Sequence, residues 1–224
     1  MNTEKHSGEP DSFGTRILLI RHGETEWNRI HRFHGRSDEP LSQKGREEAQ
    51  ALALALKDEP LTAIYSSPLM RARETARYIH ALHPSVSLFE EKGLIEMDFG
   101  AFEGMEAARW VEEYPDFYEV WSKAPASVTM PDGESLADVQ KRALDALRRI
   151  TGKHPPGSTL LLCSHKFVNL TILCHAMNLP LDRFREIQQD TAAINLLHKN
   201  GPTFTVKVVN ERSHLSRILG NEDG

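Results

Sequence analysis

Two histidines in this sequence each follow a short apolar run. Arg21-His22-Gly23 comes after Ile17-Leu18-Leu19-Ile20, and Ser164-His165 after Leu160-Leu161-Leu162-Cys163. Apolar runs of that length, bounded by polar residues, are the pattern of strands buried on both faces. Polar groups at such strand ends lie where open α/β sheets gather their ligands. Arg21 places a permanent charge at the mouth of a hydrophobic strand, which is costly unless an anion meets it. Gly23 lets the chain turn sharply and lets another group come close. Guanidinium and imidazole groups collected around a small anion are therefore the first chemical reading.

The elements that must position these groups follow from periodicity. Ser42 is placed to cap a helix in which Ala49, Leu52, Ala53 and Leu56 recur at helical spacing, stopped before Pro60. A strand is predicted over 62–65. Ser67-Pro68 then reads as a helix start, with a capping hydroxyl and proline at the first position. Leu69, Ala72, Ala76 and Ile79 form the buried stripe of that helix, and a third strand covers 86–89. Between Gly93 and Gly133, the residues Gly100, Gly104, Pro115, Pro125 and Pro131 predict an irregular excursion with short helices. A connection that long in a compact domain is more often functional than idle.

Beyond Ser135, Leu136, Val139, Ala143, Leu147 and Ile150 mark another helix. It leads to a strand at 158–163 and an apolar helix near 168–177. Residues 193–198 and 203–209 read as a closing pair around the Asn200-Gly201 turn. Strands alternating with helices predict an α/β fold, a three-layer αβα sandwich with a mainly parallel central sheet. Right-handed crossovers bring the strand C-terminal ends to one rim. With no repeat and no linker, one catalytic domain is expected over 15–215, between a polar tail at 1–14 and a second tail at 216–224.

Several motifs recur in a fixed order: Arg21-His22-Gly23-Glu24-Thr25-Glu26-Trp27-Asn28, the GRSDEPL stretch from Gly35 to Leu41, and the block from Ser66 through Arg71, Arg73 and Ala76. Leu94-Ile95-Glu96, Phe99-Gly100, Glu103-Gly104, Pro131-Asp132-Gly133-Glu134-Ser135 and Ser164-His165 follow. Any one is weak, but the ordered set, spread over roughly 16–210, resembles the phosphatase branch of the histidine phosphatase superfamily, the phosphoglycerate mutase-like family. The resemblance implies that His22 is a nucleophile forming a phosphohistidine. It implies that Arg21, Arg73 and His165 surround the transferring phosphoryl group, and that Glu96 donates the proton to the leaving alkoxide. The first role needs a neutral imidazole whose second nitrogen is held in one tautomer. Positioned cations are the main catalytic device in phosphoryl transfer, so no metal ion or other cofactor is implied. Asn28, Gly35 and Arg36 are candidate substrate-binding residues by the same resemblance.

Arg71 and Arg77 compete with Arg73, because helix arginines usually form solvated faces, and Arg73 is selected by its place in the motif. Glu90, Glu91, Glu103 and Glu106 compete with Glu96, which alone fits Leu-x-Glu before Phe-Gly. His31 and His34 lack a third metal ligand in register. Many family members carry glycine after the second histidine where this chain has Lys166-Phe167, so Lys166 is expected to add a positive contact to the substrate and Phe167 to line the cavity. Cofactor-dependent mutases of the family carry an extra insertion before the second histidine and a C-terminal shield. Here both are expected to be missing, which favours hydrolysis of a small phosphorylated metabolite over a mutase reaction or an inactive phosphate-binding regulatory module.

Composition narrows the rest. With 27 Lys+Arg against 32 Asp+Glu, the net charge is −5, a poor prior for nucleic-acid or anionic-membrane partners. Hydrophobic residues make up 39%, enough for a sizeable core. Cys163 and Cys174 lie in apolar segments without disulfide or zinc spacing, so they are expected to be buried thiols. No apolar run reaches membrane-spanning length and no signal sequence is evident, so a cytoplasmic location is expected, with a homodimer as the family's implied assembly.

Overall fold

The structure is a computed structural model and describes residues 14–216. Apart from Gly14 and Ser216, the two predicted tails lie outside the described residues. The elements run β1 (Thr15–Arg21), α1 (Glu26–Arg29), α2 (Gln43–Ala55), β2 (Ala63–Ser66), α3 (Met70–Ala81) and β3 (Ser87–Glu90). There follow α4 (Ala107–Glu113), α5 (Pro115–Lys123), α6 (Leu136–Gly152), β4 (Thr159–Ser164), α7 (Lys166–Ala176), β5 (Ile194–Asn200) and β6 (Thr203–Glu211). The sheet has the order β3-β2-β4-β1-β5-β6. Strands β3, β2, β4 and β1 are mutually parallel, and β5 and β6 close the sheet as an antiparallel pair. The fold is the expected αβα sandwich.

Alternation along the strands separates the two cores, since successive side chains point to opposite faces. Ile17 and Leu19 of β1 and Leu160 and Leu162 of β4 pack with Leu136, Val139, Ala143 and Leu147 of α6 and with α7. Leu18, Ile20, Leu161 and Cys163 pack on the other face with Leu52 and Ala53 of α2 and Ala72, Ala76 and Ile79 of α3. Both helical stripes fall where the spacing puts them. Both cysteines are buried free thiols.

The local signals are used in most places. The Ser42 hydroxyl accepts the Gly45 N–H at 3.0 Å and caps α2. Ser135 and Asp138 cap α6 reciprocally. One start is displaced. Helix α3 begins at Met70 with Leu69 as its cap residue and no side-chain cap, so Ser67 is not the predicted N-cap. Its hydroxyl accepts the Leu69 N–H at 3.3 Å, one residue ahead of the helix, and lies 2.7 Å from Nε2 of His165. No helix among the described residues is long and apolar enough to cross a membrane.

Candidate active site

The register of the parallel strands brings the two histidines together. Arg21 pairs with Ser164 across β1 and β4, and the His22 N–H donates to the Ser164 carbonyl at 3.0 Å. The two imidazole centroids are 5.0 Å apart, and both rings are buried. Glycine permits this packing at the next position: a Cβ on Gly23 would lie 2.4 Å from the Gly45 carbonyl oxygen. The close approach of the Gly45 backbone leaves no room for a side chain there.

Nδ1 of His22 donates to the Gly23 carbonyl at 2.7 Å. A carbonyl only accepts, so Nδ1 carries the proton and Nε2 holds a lone pair. Nε2 in turn accepts from Nε of Arg71 at 3.3 Å. Burial, and then the neighbouring Arg71 and Arg21 charges, push the His22 pKa well below the usual histidine value, so the ring is neutral. His165 is shifted the same way by burial and then Arg71. Its Nε2 faces Ser67, while its Nδ1 is buried without a partner among the described residues.

Arg71 is the buried cation of the site. Its Nη1 donates to Nε2 of His34 at 2.9 Å and to the Ser37 carbonyl at 2.8 Å, and its Nη2 donates to the Gly35 carbonyl at 2.8 Å. Arg73, which the motif selected, is not brought to the site. A helix turns about 100° per residue, so positions 71 and 73 point to nearly opposite sides of α3. Arg73 reaches Glu90 at 3.4 Å near the surface. The spacing carried the signal: Arg71 precedes buried Thr75 by four residues, whereas Arg73 precedes exposed Arg77 by four.

Arg21 enters from the end of β1 and donates from Nη1 to the Gln189 carbonyl at 2.6 Å; its Nε has no partner among the described residues. Glu96 is buried. Its Oε1 accepts the Met97 N–H at 2.8 Å and its Oε2 the Phe167 N–H at 3.2 Å, at the start of α7. Burial raises its pKa, against the opposing pull of the Met97 N–H and Arg71. The segment before it is held by a residue that the sequence reading missed. Arg142 of α6 donates to the carbonyls of Gly93, Ile95 and Glu96 at 3.0, 2.6 and 3.0 Å, and binds Glu134 through Nε and Nη2. Beside a stripe of core residues, an arginine of that kind reads as a solvated flank.

His22, Arg21, Glu96, His34, Asn28 and Lys166 line one cleft of about 500 Å³. Asn28 also completes a capping box with Thr25 at the start of α1. Two proposed binding residues act differently. The Gly35 N–H is held by Glu103 at 3.0 Å, and its carbonyl holds Arg71, so it positions rather than presents itself to a ligand. A Cβ there would lie 2.4 Å from the Met97 carbonyl oxygen. Arg36 turns away to Glu134 at 3.1 Å and does not line the cleft. His34 is neither a metal ligand nor exposed: its two nitrogens face Thr25 and Arg71, and burial and Arg71 lower its pKa to about 3.

The charge states imply an acid-labile fold. His22, His34 and His165 have folded pKa values below their unfolded values, so the stabilisation is complete above about pH 6.5 and is lost as pH falls. Each contributes a slope of up to about 1.4 kcal/mol per pH unit. Glu48 and Glu96, with raised values, oppose this above their unfolded pKa, but two groups do not cancel three. Urea unfolding should therefore give a lower free energy at about pH 5 than at pH 7.5, and steeper loss below about pH 4.5, where the carboxylates no longer oppose it.

Comparison with known proteins places this geometry in context. The family model described as histidine phosphatase superfamily (branch 1) matches residues 17–212. Phosphoserine phosphatase 1 of Hydrogenobacter thermophilus is 32% identical over 203 residues, 91% of this chain and 95% of that one. A protein of Arabidopsis thaliana named metal-independent phosphoserine phosphatase is 30% identical over 207 residues, 91% of this chain and 84% of that one. The solved structure of Bacillus stearothermophilus YhfR superposes with a TM-score of 0.84 at 32% identity, covering 90% of this chain and 99% of the other.

Proposed function

The chain belongs to the histidine phosphatase superfamily, branch 1, and from that membership we propose that it hydrolyses a small-molecule phosphomonoester through a phosphohistidine on Nε2 of His22. One observation carries the reading. The Gly23 carbonyl holds the Nδ1 proton, which leaves Nε2 as the lone-pair nitrogen of a ring that lines the cleft with Arg21 and Glu96, its lone pair engaged only by a 3.3 Å hydrogen bond from Arg71 that attack must displace.

In the first half-reaction, Nε2 attacks phosphorus in line and the P–O bond to the alcohol breaks. The leaving oxygen takes the Glu96 proton. Burial keeps that carboxyl protonated to higher pH than usual, which suits an acid working near neutrality. Arg21, Arg71 and Nδ1 of His165 bind the phosphoryl oxygens, whose charge is held by preorganised donors through the transition state. The Nε–H of Arg71, which donates to Nε2 of His22 in the resting site, is given up by that lone pair as it attacks and turns to a phosphoryl oxygen. The imidazolium charge is stabilised by the Gly23 carbonyl. In the second half-reaction, Glu96 takes a proton from water as it attacks phosphorus, the P–N bond breaks, and phosphate and neutral His22 are restored. The Arg21 and Arg71 guanidinium groups supply the charge that a divalent ion would bring, in keeping with the name of the Arabidopsis relative, metal-independent phosphoserine phosphatase.

The test is hydrolysis of p-nitrophenyl phosphate in excess EDTA. Phosphate release should persist undiminished, and a rapid quench should trap acid-labile phosphate on the protein. No hydrolysis from mildly acidic to neutral pH would overturn the proposal. With phosphoglycerate and bisphosphoglycerate together, released phosphate is expected; a dominant interchange of isomers would indicate a mutase instead.

A further inference from the structure

The cleft that holds His22 shares a wall with a second one of about 620 Å³. Lys166, Phe167 and Asp190 border both. The second cleft has an aromatic floor: the Phe184 ring lies 5.6 Å from Phe167 and 5.9 Å from Trp121, centroid to centroid. The Arg185 guanidinium lies 4.6 Å from the Phe184 centroid and 5.4 Å from that of Trp121, and its Nη2 donates to the Trp121 carbonyl at 3.0 Å.

Arg185 has no carboxylate partner among the described residues, and the Lys166 amine forms no hydrogen bond or ion pair there. The carboxylates bordering this cleft are engaged elsewhere. Glu186 is bound by Arg183 at 2.6 Å, and Asp190 by Arg212 at 3.1 Å and Asn210 at 2.9 Å. A guanidinium held over two ring centroids and tied to a carbonyl has less rotamer freedom left to lose and keeps other donors for an anion. Lys166, at the shared wall, adds positive potential between the two clefts. Neither cation is needed for the phosphoryl chemistry, which Arg21, Arg71 and His165 serve.

We propose that the second cleft receives the leaving group, and that the substrate is a phosphomonoester whose alcohol extends past Phe167. It has an apolar or planar section over the Phe167–Phe184 floor and a second anion, a carboxylate or phosphate, at Arg185. The inference rests on the phosphatase reading and deepens it. Arg185 is a specificity-determining residue, remote from the reacting atoms.

Two esters with one skeleton test this: para-propylphenyl phosphate, and the same ester ending in a carboxylate, para-(carboxyethyl)phenyl phosphate. A charged hydrogen bond is worth enough to predict a kcat/KM about tenfold higher for the carboxylate ester. Arg185→Gln should bring the ratio close to unity, and Arg185→Lys should keep part of it. A loosened fold or weakened phosphoryl chemistry lowers both rates and leaves the ratio alone. Equal kcat/KM for the two esters in the unaltered protein, or an unchanged ratio in Arg185→Gln, would overturn the subsite while leaving the phosphatase standing. Hydrolysis of neither ester nor p-nitrophenyl phosphate would overturn both.

Discussion

Arg71→Lys should lower kcat/KM on p-nitrophenyl phosphate by about 1000-fold, whereas Arg73→Met should stay within about twofold of the unaltered protein. The two positions lie in one motif block, and only one reaches the site. Arg71 uses all its nitrogens at once, toward His22, His34, Ser37 and Gly35. A lysine keeps the charge but loses the planar fork that reaches the imidazole and the 34–37 loop together. Its ammonium leaves some of these buried acceptors unpaired, at about 1–3 kcal/mol each, so a fall in thermal stability should accompany the loss of activity. Arg73 gives up only a half-exposed pair with Glu90, for which about 0–1 kcal/mol is typical. Steady-state kinetics with thermal unfolding on the three proteins distinguish the cases. Comparable rates for the two variants would refute the assignment of Arg71.

His22→Ala should lower kcat by at least about 10⁴-fold and abolish acid-labile phosphate on the protein, because the nucleophile and the covalent step disappear together. Arg21, Arg71 and His165 remain in such a variant, so phosphate or vanadate should still bind. That separates loss of chemistry from loss of the pocket. The variant should also be less sensitive to acid. Removing a buried neutral imidazole beside two guanidinium groups deletes one proton from the uptake on unfolding, and the slope of unfolding free energy against pH below about 6 should fall accordingly. Retention of most of the rate would show that another group attacks phosphorus.

The brace around Glu96 shows why some of the site was hidden in the sequence. Arg142 and Glu134 are ordinary charged residues by type. They become a clamp on the 93–96 segment only because α6 packs against that segment. Ser67 likewise reads as a helix cap until β4 delivers His165 beside it. Glu96 itself was legible, because its local pattern, Leu-x-Glu before Phe-Gly, is contiguous.

The sequence by itself determined most of the strands, the helix faces, the two histidines at strand ends and the family to which they belong. These follow from short-range signals: apolar runs, period and motif order. The tertiary structure decided which arginine serves the site, which glycine holds a loop instead of a ligand, and that Lys166 and Phe167 stand between two clefts. Those outcomes depend on contacts between residues far apart in the chain. A charged side chain is buried only where distant carbonyls and imidazoles converge to accept its hydrogen bonds, and that convergence comes from packing.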